Sequence, residues 1–239
     1  MYNFISRVRF SEVGADEKMT LEALLDYFQD CSTFHSEDIG VGINYLKEVG
    51  MVWVLSSWQI VIYRYPKLCE NITVGTFPYD FKGAIGYRNF FMKDESGNML
   101  AVANSVWTLL DVEKMFPVKP TALMIEKYLI EEKMDMEYAP RKIVMAEKGV
   151  EQEYIIVKKH QIDTNHHVNN GQYVRMAMGF LPEKHQIHQM RAEYRKSAML
   201  NDIIVPTVRM VRSSETTGIC QIALQTEDKT ANYCVVEFS

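Results

Sequence analysis

Hydrophobic residues along the chain recur with two different spacings. In each half, apolar side chains at every third or fourth position predict one amphipathic helix: Leu21, Leu24, Leu25 and Phe28 in the first half, then Tyr173, Met176, Ala177, Phe180 and Leu181 in the second. Alternating segments rich in Val, Ile and aromatic residues follow each helix, and a shorter one precedes it. Each half is therefore predicted to be an α+β unit in which an antiparallel sheet wraps around a long central helix.

The two halves also share sequence. The segment YRYPKLCENITVGT, which begins at Tyr63, aligns with YRKSAMLNDIIVPT, which begins at Tyr194, at an offset of 131 residues. The helices align at an offset near 148, which implies an insertion of about 17 residues in the first half; we place it within EDIGVGINYLKEVG. This alignment predicts a tandem repeat of one fold.

The boundaries between the repeats follow from proline and charge. Pro117, Pro120 and Pro140 flank a charged helical segment and are typical of a linker. We predict an N-terminal domain over residues 1–112, a linker over 113–148 and a C-terminal domain over 149–239.

Composition narrows the class of protein. With 47% hydrophobic and 24% charged residues, the chain is typical of a globular protein, and its net charge of −5 argues against general nucleic-acid binding. Neither a run of about 18 apolar residues nor a signal peptide is present, so we expect no membrane span. Four cysteines without a CxxC spacing indicate reduced thiols and a cytoplasmic location.

The stretch DTNHHVNNGQY, residues 163–173, concentrates polar side chains before the second predicted helix. Asn169 or Asn170 is expected to cap that helix, because an Asn side chain can accept a hydrogen bond from a free backbone N–H group. Capping does not account for the rest. At the offset of 148 the first half has Ala15, Glu17 and Met19 opposite Asp163, Asn165 and His167.

These three residues suit hydrolytic chemistry. They alternate along the chain, so an extended loop would point all three side chains the same way. The helix N-terminus beside them would stabilise a developing oxyanion. Asn165 can donate a hydrogen bond without titrating, His167 can exchange a proton near neutral pH, and Asp163 can orient the imidazole or accept a proton from water. We therefore predict a water-activating site without a metal.

A zinc site is the metal alternative, through His166 and His167 or through His185 and His188. No cysteine or acidic cluster completes a tetrahedral set, and adjacent histidines cannot easily share one ion. We predict neither a metal nor another cofactor.

The motif Asp163-Thr164-Asn165-His166-His167-Val168-Asn169-Asn170 resembles the D-x-N-x-H-V-N-N motif of acyl-acyl carrier protein thioesterases, which are built as tandem hotdog domains. The similarity extends to VWVLSSWQIVIYRYP at residues 52–66, SVWTLLD at 105–111 and AEYRKS at 192–197. It covers nearly the whole chain.

The resemblance implies two hotdog domains and hydrolysis of the thioester between a fatty acyl chain and acyl carrier protein. It implies Asp163, Asn165 and His167 as the catalytic set. Where plant members have Glu-Cys, this chain has Ser197 and Ala198, so a cysteine nucleophile at 198 is impossible. The chain also starts close to its first strand, which points to a bacterial, cytoplasmic version.

Acyl carrier protein is acidic, so its binder should present basic residues. Between Arg141 and Lys196 there are ten Lys/Arg and six Asp/Glu, although the whole chain is acidic. The candidates for docking are Lys158, Lys159, Arg175, Arg191, Arg195 and Lys196.

Three other functions stay open: an acyl-CoA thioesterase with the same residues, a hydratase or dehydratase, and a non-catalytic acyl-binding protein. A homodimer is open as well, because single hotdog domains usually pair through their sheets.

Overall fold

The computed structural model describes residues 1–183, 185–213 and 218–239. Its internal contacts divide the chain into two compact units. Unit 1 comprises Met1–Ser56 and Ile60–Tyr138, and unit 2 comprises Ser57–Gln59 and Ala139–Ser239.

Unit 1 is built on a sheet whose strand order is β1-β3-β4-β5-β2. Its elements, in chain order, are β1 (Tyr2–Arg7), α1 (Leu21–Asp38), α2 (Ile43–Glu48), β2 (Met51–Ile62, apart from Ser57–Gln59), β3 (Asn71–Lys82), β4 (Ile85–Asp94), β5 (Met99–Asp111) and α3 (Ala122–Tyr128). The β1–β3, β3–β4 and β4–β5 pairs are antiparallel. Long alternating strands thus pair as the sequence predicts.

The apolar face of helix α1 contributes to the core of unit 1. The predicted apolar stripe is confirmed, since Leu21, Leu24, Leu25 and Phe28 are all buried. The ring of Phe28 lies 5.3 Å from that of Phe90 on β4. Burying such a stripe against a sheet removes apolar surface from water, which is the main force that holds the helix in place.

Unit 2 repeats this plan with shorter elements. They are β6 (Val150–Glu151), β7 (Ile155–Ile156), α4 (Asn170–Met178), β8 (Gln189–Tyr194), β9 (Ile203–Ser213), β10 (Gly218–Thr226) and β11 (Asn232–Phe238). The sheet order is β8-β11-β10-β9-β6, and β7 also pairs with β9.

Helix α4 is shorter than its apolar pattern predicts. Tyr173, Met176 and Ala177 are buried, but the helix ends at Met178 with Gly179 as its C-cap. Glycine is a poor helix former, and Pro182 disfavours helical backbone just before itself. Part of the insertion in the first half is therefore extra helix, because α1 has 18 residues and α4 has 9.

The segment 113–148 is divided between the units. Met124 and Tyr128 of α3 are buried with Val41 and Leu109 in a core cluster of unit 1, while Ile143 packs against Ala223 and Val235 in unit 2. The predicted boundaries at 112 and 148 stay a prediction.

Candidate active site

Residues 163–167 form a tight turn. Ile162 and Val168 make an antiparallel bridge on either side of it, and the N–H of Asp163 donates to the C=O of His167 at 2.8 Å. His166 adopts a left-handed conformation with φ of 63°, which lets the chain reverse within five residues. The expectation of an extended loop is therefore wrong, and the alternation of the three side chains does not define their directions.

The side chain of Asp163 helps to shape this turn. Its Oδ1 accepts hydrogen bonds from the N–H of Asn165 at 2.8 Å and the N–H of His167 at 3.4 Å. An aspartate that binds the backbone two residues on is a common turn former, which the alternation pattern does not reveal. The turn brings Asp163, Asn165 and His167 into one short loop, in which Asn165 is exposed and the other two are half-buried.

Helix α4 begins directly after the turn. Asn169 is its N-cap, and the Asn169 Oδ1 accepts from the N–H of Gly171 at 2.9 Å. The predicted capping role is confirmed for Asn169. The N–H groups of the first helical turn carry partial positive charge, so the three residues lie beside a site that favours developing negative charge.

Unit 1 contains the same turn without these residues. A bridge between Val13 and Met19 closes it, the N–H of Gly14 donates to the C=O of Lys18, and Glu17 has a φ of 59°. The structural offset is thus 149 rather than 148 residues. Gly14, Asp16 and Lys18, not Ala15, Glu17 and Met19, stand opposite Asp163, Asn165 and His167. The backbone turn does not require this set.

A second loop lies against the turn. The C=O of Ala198 accepts from the N–H of Val168 at 2.9 Å, and the N–H of Ala198 donates to the Oη of Tyr173 at 2.8 Å. Ala198 is fully buried, while Ser197 is exposed. Ala198 is therefore adjacent to the motif, although 30 residues separate it from Val168 in the chain.

Two tyrosines that the sequence reading missed hold this arrangement together. The Oη of Tyr194 donates to the C=O of Asn170 at 3.1 Å, and the rings of Tyr173 and Tyr194 pack edge to face, 6.0 Å apart. Burial raises the pKa of both tyrosines, which keeps their hydroxyl groups neutral. The sequence places Tyr173 at the end of the polar stretch and on the helix stripe, and Tyr194 in the repeated segment and in AEYRKS; none of these patterns indicates that the two rings pack together.

Arg191 and Arg195 make ion pairs inside unit 2. Arg191 donates to Glu237 at 2.7 Å and to the C=O of Pro140 at 2.6 Å. Arg195 donates to both carboxylate oxygens of Glu193, at 3.1 and 2.9 Å. Burial would raise the pKa of Glu193, but Arg195 and a backbone N–H bring it below its usual range.

The four other predicted docking cations, Lys158, Lys159, Arg175 and Lys196, are all exposed. Three residues separate Lys159 from the start of the motif at Asp163. The N–H of Lys158 donates to the Gln161 side chain at 2.7 Å. The Nζ of Lys196 lies 5.6 Å from the centre of the Tyr233 ring. Docking through any of the six cations stays a prediction.

Within the described ranges, no three His, Cys, Asp or Glu side chains are grouped closely enough to hold a metal ion. Nor does the described part of the chain contain a helix with the length and apolar character needed to cross a membrane.

Comparison with known proteins extends the resemblance. The family models for the acyl-ACP thioesterase N-terminal and C-terminal domains match residues 2–128 and 145–238. A palmitoyl-acyl carrier protein thioesterase of Gossypium hirsutum is 24% identical over 246 residues, which cover 92% of this chain and 59% of the relative. The chain thus spans less than two thirds of the plant protein.

Solved structures show the same fold. An acyl-ACP thioesterase from Bacteroides thetaiotaomicron superposes with a TM-score of 0.87 at 21% identity, covering 99% of this chain and 96% of that one. A 12:0-ACP thioesterase from Umbellularia californica gives 0.86 at 16% identity, with coverage of 100% and 96%. The two α+β units are tandem hotdog domains, as predicted, and the chain belongs to the acyl-ACP thioesterase family.

Proposed function

We propose that this protein hydrolyses the thioester between a fatty acyl chain and acyl carrier protein, which releases a free fatty acid and ends chain extension. The observation that carries the proposal is the pair of matched turns. Both units fold the same backbone turn before a helix, but only unit 2 has Asp163, Asn165 and His167 on it. Because the turn forms in unit 1 without this set, the backbone alone does not explain why the three residues are present, and their chemistry suits water activation.

The chemistry assigned to them is direct hydrolysis. Asp163 and His167 share the role of base and take a proton from water as its oxygen attacks the thioester carbonyl carbon. Asn165 donates a hydrogen bond to the carbonyl oxygen, and the N-terminus of α4 supports the oxyanion. The C–S bond then breaks, and the sulfur leaves with the proton as the free thiol of the phosphopantetheine arm. Because position 198 is alanine, no acyl-enzyme forms there.

The test is thiol release from matched acyl-carrier and acyl-CoA thioesters. Asn165→Ala and His167→Ala are expected to lower kcat/KM by about 10²-fold or more, since each removes a group that acts in the transition state. Asp16→Ala and Lys18→Ala, the changes at the matched positions of unit 1, serve as controls and should retain activity.

Equal activity in the unit 2 variants and the wild type would refute the site. If no thioester released its thiol, the acyl-binding alternative would replace hydrolysis. Faster turnover of acyl-CoA than of acyl carrier protein would transfer the proposal to the CoA substrate.

A further inference from the structure

Next to the candidate site, residues 198–202 form a turn that is tied down on several sides. Asp202 accepts from the N–H of Met199 at 2.9 Å and from the Tyr233 hydroxyl at 3.1 Å. The backbone of Val157 bonds to Asn201 at 3.1 Å and to Asp202 at 3.0 Å. The turn is therefore a fixed part of unit 2.

This fixed turn displays two large apolar side chains to solvent. Met199 is 46% exposed and Leu200 is 47% exposed. The hydrogen bonds that hold the turn do not involve the side chains of Met199 and Leu200. Leaving these two apolar side chains exposed to water therefore does not stabilise unit 2. Contiguous exposed apolar residues on a rigid surface are typical of contact sites.

Unit 1 shows that the turn does not need them. There Glu70 accepts from the N–H of Lys67 at 2.9 Å, and Cys69 and Glu70 bond to the backbone of Val8 at 3.0 and 2.9 Å. Cys69 and Asn201 have nearly the same left-handed φ, 67° and 70°. The bonds of the 198–202 turn to Met199 and Val157 thus recur in unit 1, with Lys67 in the place of Met199. The structural offset of this region is therefore 132 residues rather than the predicted 131.

Leu68 of unit 1 occupies the position that matches Leu200, and its side chain is only partly exposed. In unit 1 this turn therefore presents a lysine and a half-buried leucine. In unit 2 it presents Met199 and Leu200 together. The apolar pair is a property of the unit that carries the candidate site.

Positive charge lies beside this pair. Lys158 and Lys159 follow Val157, which is bonded to the turn, and both are exposed. In unit 1 the position of Lys158 is taken by Arg9, which pairs with Glu12 at 3.5 Å. In unit 2, Gln161 stands at the position of Glu12. Its side chain accepts from the N–H of Lys158, as Glu12 accepts from the N–H of Arg9, but it carries no charge. Across the described residues, neither lysine has an ion-pair partner.

The apolar pair and the lysines border the candidate site. Ala198 begins the turn and bonds to Val168 of the motif, and Gln161 bonds to the N–H of Asn169 at 2.9 Å. A protein that covered these residues would bring a flexible arm to the turn that carries Asp163, Asn165 and His167.

We propose that Met199, Leu200, Lys158 and Lys159 form the docking surface for an acidic carrier protein, in which the lysines meet carboxylates and the apolar pair packs on the centre of the contact. This deepens the proposed function and rests on it. Charge steers the encounter, while buried apolar groups at the centre of an interface supply most of the affinity.

The test compares two double variants, Met199→Gln/Leu200→Gln and Lys158→Glu/Lys159→Glu. Each is assayed with two thioesters of the same acyl group, one on acyl carrier protein and one on pantetheine. Each pair of changes is expected to raise KM for the carrier substrate about tenfold. Pantetheine has no protein surface to dock, so its KM should stay within about twofold. At about 0.5 M salt the lysine effect should shrink and the Met199/Leu200 effect should persist. Lys67→Gln, at the matched position of unit 1, is the control.

An unchanged KM for the carrier substrate in Met199→Gln/Leu200→Gln would overturn the proposal, as would equal rises for both substrates. Light scattering would overturn it too if the wild type were a dimer that these changes dissociate, because the surface would then bind a second copy of the chain.

If the wild type cleaved no thioester, the proposed hydrolysis would fail separately. Fluorescence anisotropy with labelled holo-carrier protein would then decide, with weaker binding by the variant supporting the surface and equal or absent binding refuting it.

Discussion

At the scale of single residues, the carboxylate of Asp163 has two tasks. It accepts hydrogen bonds from the backbone of Asn165 and His167, and in the proposed reaction it also shares the role of base. A loss of activity on mutation could therefore reflect a lost charge or a lost turn. The two causes can be separated by a variant that keeps the hydrogen bonds and removes the charge.

Asp163→Asn is that variant, because the amide oxygen can accept the same two hydrogen bonds. We expect kcat to fall about 10²-fold or more with little change in Tm. Asp163→Ala should lose activity and also about 1 kcal/mol of stability, since both backbone bonds disappear. Steady-state kinetics and thermal unfolding of the two variants check this. Full activity in Asp163→Asn would remove the carboxylate from the mechanism.

His35 in unit 1 is a buried histidine that the proposed reaction does not use. Its Nδ1 lies 2.9 Å from Nη1 of Arg88, which can only donate, so the imidazole accepts and is neutral. Burial and the charge of Arg88 lower the pKa of His35 from 6.5 to about 3. The folded state therefore resists protonation that the unfolded chain undergoes near pH 6.5.

This depressed pKa predicts a pH-dependent stability. Above pH 6.5 the contribution of His35 is complete; as pH falls from 6.5 towards 3 the unfolded chain binds a proton that the native state does not, so stability decreases. One such group contributes at most about 1.4 kcal/mol per pH unit. His35→Gln keeps an acceptor for Arg88 but cannot titrate, so urea unfolding between pH 7.5 and 5 should show a smaller slope for the variant. Parallel curves would contradict the shift.

At the scale of elements, the side chain of Asn89 makes several of the hydrogen bonds that attach the irregular segment 131–138 to the unit 1 sheet. Asn89 on β4 is fully buried. Its Oδ1 accepts from the N–H of Met134 at 3.2 Å and from the Tyr138 hydroxyl at 2.9 Å, and its Nδ2 donates to Ala103 at 3.1 Å. The side-chain amide of Asn89 thus satisfies one backbone N–H of a segment without regular structure.

Asn89→Ala should therefore destabilise the protein by about 2–4 kcal/mol, because it removes the hydrogen bonds to Met134, Tyr138 and Ala103 together. Tyr138→Phe removes only the hydroxyl, which is bonded to Asn89 and to the C=O of Met134, and should cost about 1 kcal/mol. Urea unfolding measures both, and limited proteolysis should cut within 131–138 sooner in Asn89→Ala. Equal losses in the two variants would show that the amide is not the main attachment.

At the scale of the whole molecule, the chain is one plan used twice. Bridges close the same turn before α1 and α4, and the turns at 67–70 and 199–202 share their backbone bonds. The units differ in what they place on these turns. Each unit is therefore a control for the other: what both share serves the fold, and what unit 2 alone carries is a candidate for function.

The sequence by itself determined the features that depend on neighbouring residues. The period of the apolar stripe predicted α1 because residues three or four apart share a helix face. The cap at Asn169 followed from one side chain and the N–H groups directly after it. The order of helices and strands and the D-x-N-x-H motif were readable for the same reason, and the repeat followed from comparing such local patterns in the two halves.

Only the tertiary structure decided what depends on distant partners. It folded residues 163–167 into a turn instead of an extended loop, placed Ala198 against Val168, and paired Arg191 with Glu237. It also left Met199 and Leu200 exposed. Periodicity cannot supply this information, because hydrogen bonds, ion pairs and burial between residues far apart in the chain depend on how strands and loops meet after folding.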